Sequence, residues 1–225
     1  MAVKDEFKKE RESIKNAPLD KKIQYIWNYY WVQILLVIGI ILVIIGVGVT
    51  VKNKKETLLT GIYLNCYEEE YVNNELVEDF IEEKEIDTKK QELYFVTDLT
   101  YTADDDSLLG SDNSSTGQAL TIYHESGTVD FVTASRAVLV ELADEKNFFA
   151  DLRLILSEED MEKYESYFIY LESEEGEEVP ILIDMSQSEK LKGAYKEDEK
   201  PLVMGFIINA PHAEMAADFV GYLLD

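Results

Sequence analysis

Polar side chains that could orient a small ligand follow several predicted strands, at the points where those strands end. The candidates are Tyr63, Asn65, Asp98, Tyr101, Ser135, Arg136 and Asn209. Ligands of open α/β sheets bind beyond the carboxyl ends of the strands, where hydroxyl, amide and guanidinium groups can hydrogen-bond a solute. The same residue types also end strands and cap helices. The pattern therefore leaves both a binding site and a purely structural role open.

Catalytic and metal-binding patterns do not occur in the sequence. Cys66 is the only cysteine, and neither histidine, His124 or His212, has a zinc-binding spacing. His124 is expected on the solvent side of a helix, and pairing it with Cys66 as a nucleophile would require an orienting acid as well. The chain has no G-x-S-x-G motif, P-loop or dinucleotide fingerprint. We therefore expect no enzymatic activity, no cofactor, and no catalytic or metal-binding residue.

One acidic loop, residues 104–113, carries enough oxygen atoms to resemble a cation site. It contains Asp104, Asp105, Asp106 and Asp112. Carboxylates bind Ca²⁺, but no glutamate occupies the position of the bidentate ligand of an EF-hand. The sequence favours a solvated acidic loop here, and an exposed turn for the acidic run at 172–178.

The elements that must position the polar candidates alternate between strand and helix. Apolar runs predict strands at 57–65, 91–96 and 129–133. Between them, amphipathic periodicity predicts helices at 74–85 and from Ser115 or Thr116 to Gly127. This alternation indicates an α/β fold with a largely parallel sheet.

The second half of the chain continues the alternation less regularly. Residues 135–145 suit either a helix or a strand. Ser157 and Asp160 resemble a capping box, and 167–171 with 179–183 form a predicted hairpin in which Pro180 favours an edge strand. The apolar run at 202–208 predicts a strand buried on both faces, and Pro211 precedes a final amphipathic helix.

An uncharged stretch near the amino terminus predicts a single transmembrane helix within 23–51. It contains no Asp, Glu, Lys or Arg, and its last ~20 residues are apolar, the length that crosses a hydrocarbon core. Aromatic residues suited to the membrane interface stand at its entry, namely Trp27, Tyr29, Tyr30 and Trp31. The basic tail at 1–22 then lies in the cytoplasm, and a linker at 52–56 leads to an extracytoplasmic α/β domain at 57–225.

A cleavable signal peptide is the alternative to this anchor. Gly46, Val47 and Gly48 resemble a cleavage site, but the charged region before the apolar core and the core itself are longer than usual. Either interpretation places the large domain outside the cytoplasm. The expected location is the cell membrane, with the lipid bilayer as one partner.

The charge of the chain is concentrated in the large domain. The full chain has a formal net charge of −25, and residues 56–225 hold 11 basic and 41 acidic side chains. This acidic charge excludes the class of proteins that bind nucleic acid by neutralising its phosphates. Two roles for this acidity stay open, namely repulsion of anionic envelope polymers or attraction of cations and basic partners.

Several segments together resemble extracellular solute-binding proteins of ABC transporters, with their type 2 periplasmic-binding fold. The segments are LTGIYLN, ELVEDFIEEKEID, QELYFV, IYHESGTVDFVTAS, KNFFADLRLILSEEDMEKY and PLVMGFIINAPHAEMAADFVGYLL. The resemblance implies a ligand-testing region at Asp130 and at 149–152. Since about 170 residues are too few for two full lobes, it implies one reduced lobe. The whole chain also resembles single-pass membrane proteins of Gram-positive anaerobes.

Two functions follow from these observations as expectations. The first is a membrane-anchored extracytoplasmic binding or interaction domain, similar to a solute-binding protein, with a small solute or a cell-envelope protein as partner. The second is a structural or assembly partner in an envelope complex without a small-molecule ligand. An exposed apolar area on a sheet face would favour the second function, whereas a polar cleft would favour the first.

Overall fold

The computed structural model describes residues 17–52, 54–103, 114–146, 148–172, 176–199 and 201–225. The chain divides into two units, Met1–Lys54 and Lys55–Asp225. The acidic loop at 104–113, part of the run at 172–178 and most of the basic tail lie outside the described residues. The predictions made for them therefore stay predictions.

The described part of the first unit forms a long helix, α1, from Leu19 to Lys52. The Pro18 carbonyl accepts a hydrogen bond from the Lys22 amide (3.2 Å), which closes the first turn. Side chains of α1 are described without interruption from 30 to 46, and the large apolar ones among them are exposed except Ile34, which is half-buried. Within the described part of the chain, no helix is both long and apolar enough to cross a membrane.

The second unit is built on a six-stranded mixed sheet in the order β2-β1-β3-β6-β5-β4. The strands are β1 (Glu56–Tyr63), β2 (Gln91–Val96), β3 (Phe131–Ser135), β4 (Phe168–Glu172), β5 (Glu178–Asp184) and β6 (Leu202–Phe206). β1 runs parallel to β2 and β3, whereas the pairs β3–β6, β6–β5 and β5–β4 are antiparallel. The predicted α/β class is confirmed. The expectation of a largely parallel sheet is wrong, because the last strand inserts antiparallel between β3 and the hairpin.

Helices flank this sheet in the described residues of the second unit. They are α2 (Glu69–Asn73), α3 (Glu75–Glu83), α4 (Ser114–Ser126), α5 (Arg136–Lys146), α6 (Glu158–Tyr164) and α7 (Ala213–Leu224). The segment that suited either a helix or a strand is therefore the helix α5. The predicted cap of α6 is confirmed, since the Ser157 hydroxyl accepts a hydrogen bond from the Asp160 amide (3.1 Å).

The sheet separates two apolar cores because strand side chains alternate between its faces. One core contains Leu59, Tyr63, Phe80, Phe95, Phe131, Phe206 and Phe219, and the other contains Ile62, Leu64, Val132, Leu139, Leu142, Val203 and Ile207. β6 is buried along its whole length, as its apolar run predicts. Both faces of the sheet centre are therefore covered.

Pro180 lies on β5, which is an interior strand, so its prediction as an edge residue is wrong. It pairs with Tyr170 of β4 next to a register irregularity. On its other side, β5 pairs with β6 only from Leu182 onward. The sheet accommodates the proline because no ladder to β6 reaches it.

Candidate functional site

Tyr63 ends β1 but belongs to the apolar core rather than to an open site. Its ring is fully buried and packs edge-on against Phe95 and Phe131, with centroids 5.4 and 5.8 Å away. Burial raises the pKa of Tyr63 well above its usual value. Its hydroxyl has no hydrogen-bond partner among the described residues. The side chain therefore contributes mainly to packing.

Asn65 and Tyr101 meet at the carboxyl edge of the parallel strands, as the sequence predicts, but they bind each other. The Asn65 Nδ2 atom donates to the Tyr101 carbonyl, and the Asn65 Oδ1 atom accepts from the Tyr101 amide, both at 2.8 Å. Asn65 has φ +59°, a conformation that asparagine tolerates well. The Tyr101 hydroxyl donates to Glu141 at 2.6 Å. These contacts join two loops and use the groups that a ligand would need.

Asp98, Ser135 and Arg136 also follow parallel strands at this edge. Asp98 and Arg136 are exposed, and Ser135 is half-buried. The Arg136 amide donates to the Pro201 carbonyl (2.8 Å), so the backbone there is tied to the strand beside it. No cleft described at this edge is lined by these three side chains together.

Asn209 lies at the opposite edge of the sheet from the other candidates. It follows β6, and because β6 is antiparallel to β3, its carboxyl end lies at the amino ends of the parallel strands. Asn209 has φ +63° and lines a separate cleft. The structure thus groups six of the seven predicted residues at one edge and separates the seventh.

That separate cleft, here called the hairpin cleft, has a volume of about 500 Å³. Leu171, Val179 and Ile181 of the β4–β5 hairpin contribute one part of its lining. Glu172 at the end of β4 also belongs to the lining, and the segments on either side of the hairpin contribute Ala143, Asp144, Phe149, Ala150, Asp151, Leu154, Ile155, Ile208, Asn209 and Ala210. The lining is mostly aliphatic, and Leu154 is 80% exposed.

The charges of the hairpin cleft are all negative. Asp144 and Glu172 are exposed and form no ion pair with any described residue. Asp151 is paired with Arg153, which lies outside the lining, through contacts of 2.6–3.0 Å. Burial acts to raise the pKa of Asp151, but hydrogen bonds from the Arg153 side chain and amide outweigh it and hold the pKa below its usual value. The cleft therefore carries three carboxyl groups and no basic residue in its lining.

Asp130 and His212 form a buried polar contact that sequence spacing does not reveal. The Asp130 carboxylate is completely buried and accepts from the Thr60 amide (2.7 Å), the His212 amide (2.6 Å) and His212 Nδ1 (3.0 Å). Asp130 precedes β3 and lies at the amino edge. Its two partners are 70 and 82 residues away in sequence. Only the isolated acid before an apolar strand could have indicated it.

The two residues considered as a nucleophilic pair lie in different environments. Cys66 is half-buried, with its sulfur 3.6 Å from the Ala194 carbonyl. His124 is stacked on Phe148 (5.0 Å) with its Nε2 buried, so its prediction as a solvent-facing residue is wrong. Each side chain therefore has a local packing role.

Compared with known proteins, the chain matched no protein-family model, no curated protein and no solved structure. The resemblance to solute-binding proteins stays a prediction, and function must be argued from the geometry of the clefts.

Proposed function

We propose that this chain is a membrane-anchored interaction domain whose hairpin cleft binds an apolar and basic segment of a partner protein. The observation that supports this proposal most strongly is an apolar cleft with an entirely acidic charged lining. The partner segment inserts aliphatic side chains into the cleft and presents Lys or Arg to its rim. This function corresponds to the structural or assembly role expected for a domain with exposed apolar area on a sheet face.

Apolar contact supplies most of the binding energy in this proposal. Leu154 stands at the cleft with 80% of its surface exposed, beside Ile155 and the hairpin residues. Burying one aliphatic side chain of a partner contributes about 1.5–3 kcal/mol. Two such side chains in the cleft would therefore supply a substantial part of a micromolar interaction, after the cost of association.

Charge selects the partner. Asp144 and Glu172 have no described ion pair, and residues 56–225 carry 30 more acidic than basic groups. A basic segment is attracted to this field over the Debye length of about 8 Å at physiological salt. An acidic segment with the same apolar side chains is repelled.

The membrane anchor in this proposal is the apolar part of α1. The sequence from Ile23 to Val51 has no charged residue, and the described side chains at 30–46 are mostly apolar and, except for the half-buried Ile34, exposed. The stretch of α1 with described side chains, 30–46, is shorter than the ~20 residues that span a bilayer. In the sequence, the apolar run continues to Val51. The larger number of basic residues before the span supports a cytoplasmic amino terminus and an extracytoplasmic domain.

Solute capture at the carboxyl edge receives less support from the geometry. Asn65 and Tyr101 satisfy each other's polar groups, and Tyr63 is enclosed by aromatic rings. A solute there would have to displace contacts that join two loops. The cleft at which Asp144 and Glu172 form no ion pair with a described residue is instead at the hairpin.

Three short synthetic peptides test the proposal: one alternating leucine and lysine, one alternating leucine and glutamate, and one alternating serine and lysine. Binding to the full chain in detergent is measured by fluorescence anisotropy of labelled peptides. We expect the leucine–lysine peptide to bind at least about tenfold more tightly than either control, since each control lacks one of the two contributions. Equal binding of both lysine peptides would reduce the interaction to general charge attraction and contradict a role for the cleft.

A further inference from the structure

A second pocket lies at the amino edge of the sheet, and nothing in the proposed partner interaction uses it. This pocket, here called the tyrosine pocket, has a volume of about 330 Å³. It is lined by Thr57, Thr60, Tyr94, Tyr123, Gly127, Thr128, Pro211 and His212. Its volume is at the lower end of the ~300–1,000 Å³ of small-molecule sites.

An irregularity in β1 directs two threonines to this pocket. The register of β1 against β2 shifts between Thr57 and Leu59, so that Leu58 and Leu59 both pack on the same apolar core. Without the shift, alternation would send Thr57 and Thr60 to opposite faces. With it, both threonines line the pocket. Tyr94 is the β2 partner of Thr60 in the register and lies on the same face.

The buried carboxylate fixes the histidine at this pocket. The Asp130 carboxylate lies 3.0 Å from His212 Nδ1, and when that carboxylate is ionised it can only accept, so the hydrogen bond then requires a proton on Nδ1. In the neutral ring Nε2 is then an acceptor, and it points away from Asp130. Asp130 also holds the His212 and Thr60 amides, so both lining residues are positioned by the same group.

The hydroxyl groups of the tyrosine pocket are neutral and largely unpaired. The hydroxyls of Thr57, Thr60, Tyr94 and Tyr123 have no hydrogen-bond partner among the described residues, whereas that of Thr128 shares a contact with Ser126 (2.8 Å). The lining contains no Lys, Arg, Asp or Glu, although 30% of the chain is charged. Among the lining residues, only His212 could form an ion pair with a ligand, and its Nδ1 atom already contacts Asp130.

We infer that the tyrosine pocket binds a neutral sugar, either free or at the end of a glycan. Hydroxyl groups donate and accept, as the ligand's own hydroxyls do, and His212 Nε2 supplies a further acceptor. The faces of Tyr94 and Tyr123 offer apolar rings on which the C–H face of a sugar stacks. An apolar ligand would leave these hydroxyls unpaired, and a charged ligand would find no Lys, Arg, Asp or Glu in the lining.

Ligand-observed NMR of the full chain tests this inference, in a detergent whose head group is not a sugar. The ligands are glucose, galactose, mannose and N-acetylglucosamine, each free and as a short oligosaccharide, together with glucuronic acid and glucosamine as charged controls. We expect at least one neutral sugar to bind and both charged sugars to bind more weakly. Binding of the oligosaccharide alone assigns the site to glycan ends, and binding of both forms assigns it to sugars generally. A chain that binds no neutral sugar, or prefers a charged one, overturns the inference.

Two variants of pocket residues and one control variant locate the binding. Tyr94→Ala removes a ring that is 51% exposed and should weaken binding about tenfold. Tyr170→Ala, on β4 and 46% exposed, is the matched control and should leave affinity unchanged. Thr57→Val keeps the shape, removes one hydroxyl and should weaken binding about threefold to tenfold. Equal effects of Tyr94→Ala and Tyr170→Ala would contradict binding at this pocket.

Discussion

Asp130 joins three parts of the chain at the amino edge of the sheet. Its carboxylate accepts two backbone amides and one imidazole nitrogen, all within 3.0 Å, and has no exposed surface. A buried acceptor with several donors is costly to remove, because each donor left without a partner keeps its desolvation penalty. The residue therefore stabilises the fold and orients His212.

Replacing Asp130 tests that structural role. Asp130→Ala leaves the Thr60 and His212 amides without acceptors and should lower the free energy of unfolding by about 3 kcal/mol. Asp130→Asn keeps one acceptor oxygen and should cost less. Asp98→Ala, at an exposed acid, should stay within about 0.5 kcal/mol of the parent chain. Urea unfolding measures all three, and equal midpoints for Asp130→Ala and Asp98→Ala would contradict the assignment.

Cys66 reports on its surroundings through its reactivity. Burial, with a smaller contribution from the carboxylates of Glu68 and Glu69, raises the pKa of the Cys66 thiol to about 11. The reactive thiolate is then scarce at pH 8, so alkylation by iodoacetamide should be about a hundredfold slower than for a free cysteine. The rate should rise about tenfold per pH unit until the pH approaches 11. Because Cys66 is the only cysteine, a rate that levels off below pH 9 would refute the raised pKa.

The sequence could predict where polar residues follow strands but not what they contact. Asn65 and Tyr101 were correctly expected at one edge, because both follow parallel strands. Their mutual hydrogen bonds depend on the conformation of two loops, which no periodicity records. The contact between Asp130 and His212 could not be predicted from the sequence, because it requires knowing that β6 lies beside β3.

At the scale of elements, β1 is the strand that contributes to both apolar cores and joins β2 to β3. It pairs with β2 and β3, and its residues reach both apolar cores. Gly61 pairs with Phe131, whose ring lies directly over it. That ring also stacks on Phe219 of α7 (5.7 Å), so the space above Gly61 is taken by the core itself.

A methyl group at Gly61 should therefore disturb the sheet. Gly61→Ala places a β-carbon against the Phe131 ring, which cannot retreat without moving Phe219. We expect a loss of about 1–3 kcal/mol in the free energy of unfolding. Glu56→Ala, at the exposed start of the same strand, is the control and should change it by less than about 0.5 kcal/mol. Urea unfolding of both variants decides, and an unchanged Gly61→Ala midpoint would show that the ring is free to move.

Local elements were predicted more accurately than the order in which they pair. The helix α3 and the cap of α6 follow from residues three or four apart, which the chain itself brings together. β6 was correctly predicted as a buried strand, but burial on both faces does not specify direction. The antiparallel direction of β6 depends on pairing between segments that are distant in sequence. Because of this direction, Asn209 lies at the amino edge rather than at the predicted carboxyl edge.

At the scale of the whole molecule, the charge distribution and the apolar run of α1 define the proposed topology. The basic tail, the uncharged stretch and the acidic domain occur in that order along the chain. An excess of basic residues before a span keeps that side in the cytoplasm. The acidic domain, with its hairpin cleft, would then face partners outside.

Cysteine labelling tests this topology in intact cells. Cys66→Ser removes the native thiol, and a single cysteine is then introduced as Ser13→Cys or Ser173→Cys. A maleimide that cannot cross membranes should label the second variant and not the first, whereas both should react after the cells are opened. Labelling of Ser13→Cys alone in intact cells would reverse the proposed orientation, and release of the protein from washed membranes would contradict the anchor.

The central claim is that the hairpin cleft itself binds the apolar and basic segment. The most direct measurement compares the affinity of the leucine–lysine peptide for Leu154→Asp and for Ile122→Asp, a substitution at a 65% exposed residue of α4 outside the cleft. Both variants add one negative charge, so general attraction of the peptide changes equally. The account predicts that Leu154→Asp weakens binding at least about tenfold relative to Ile122→Asp, because only Leu154 contacts the inserted side chains. Equal affinities of the two variants would contradict it.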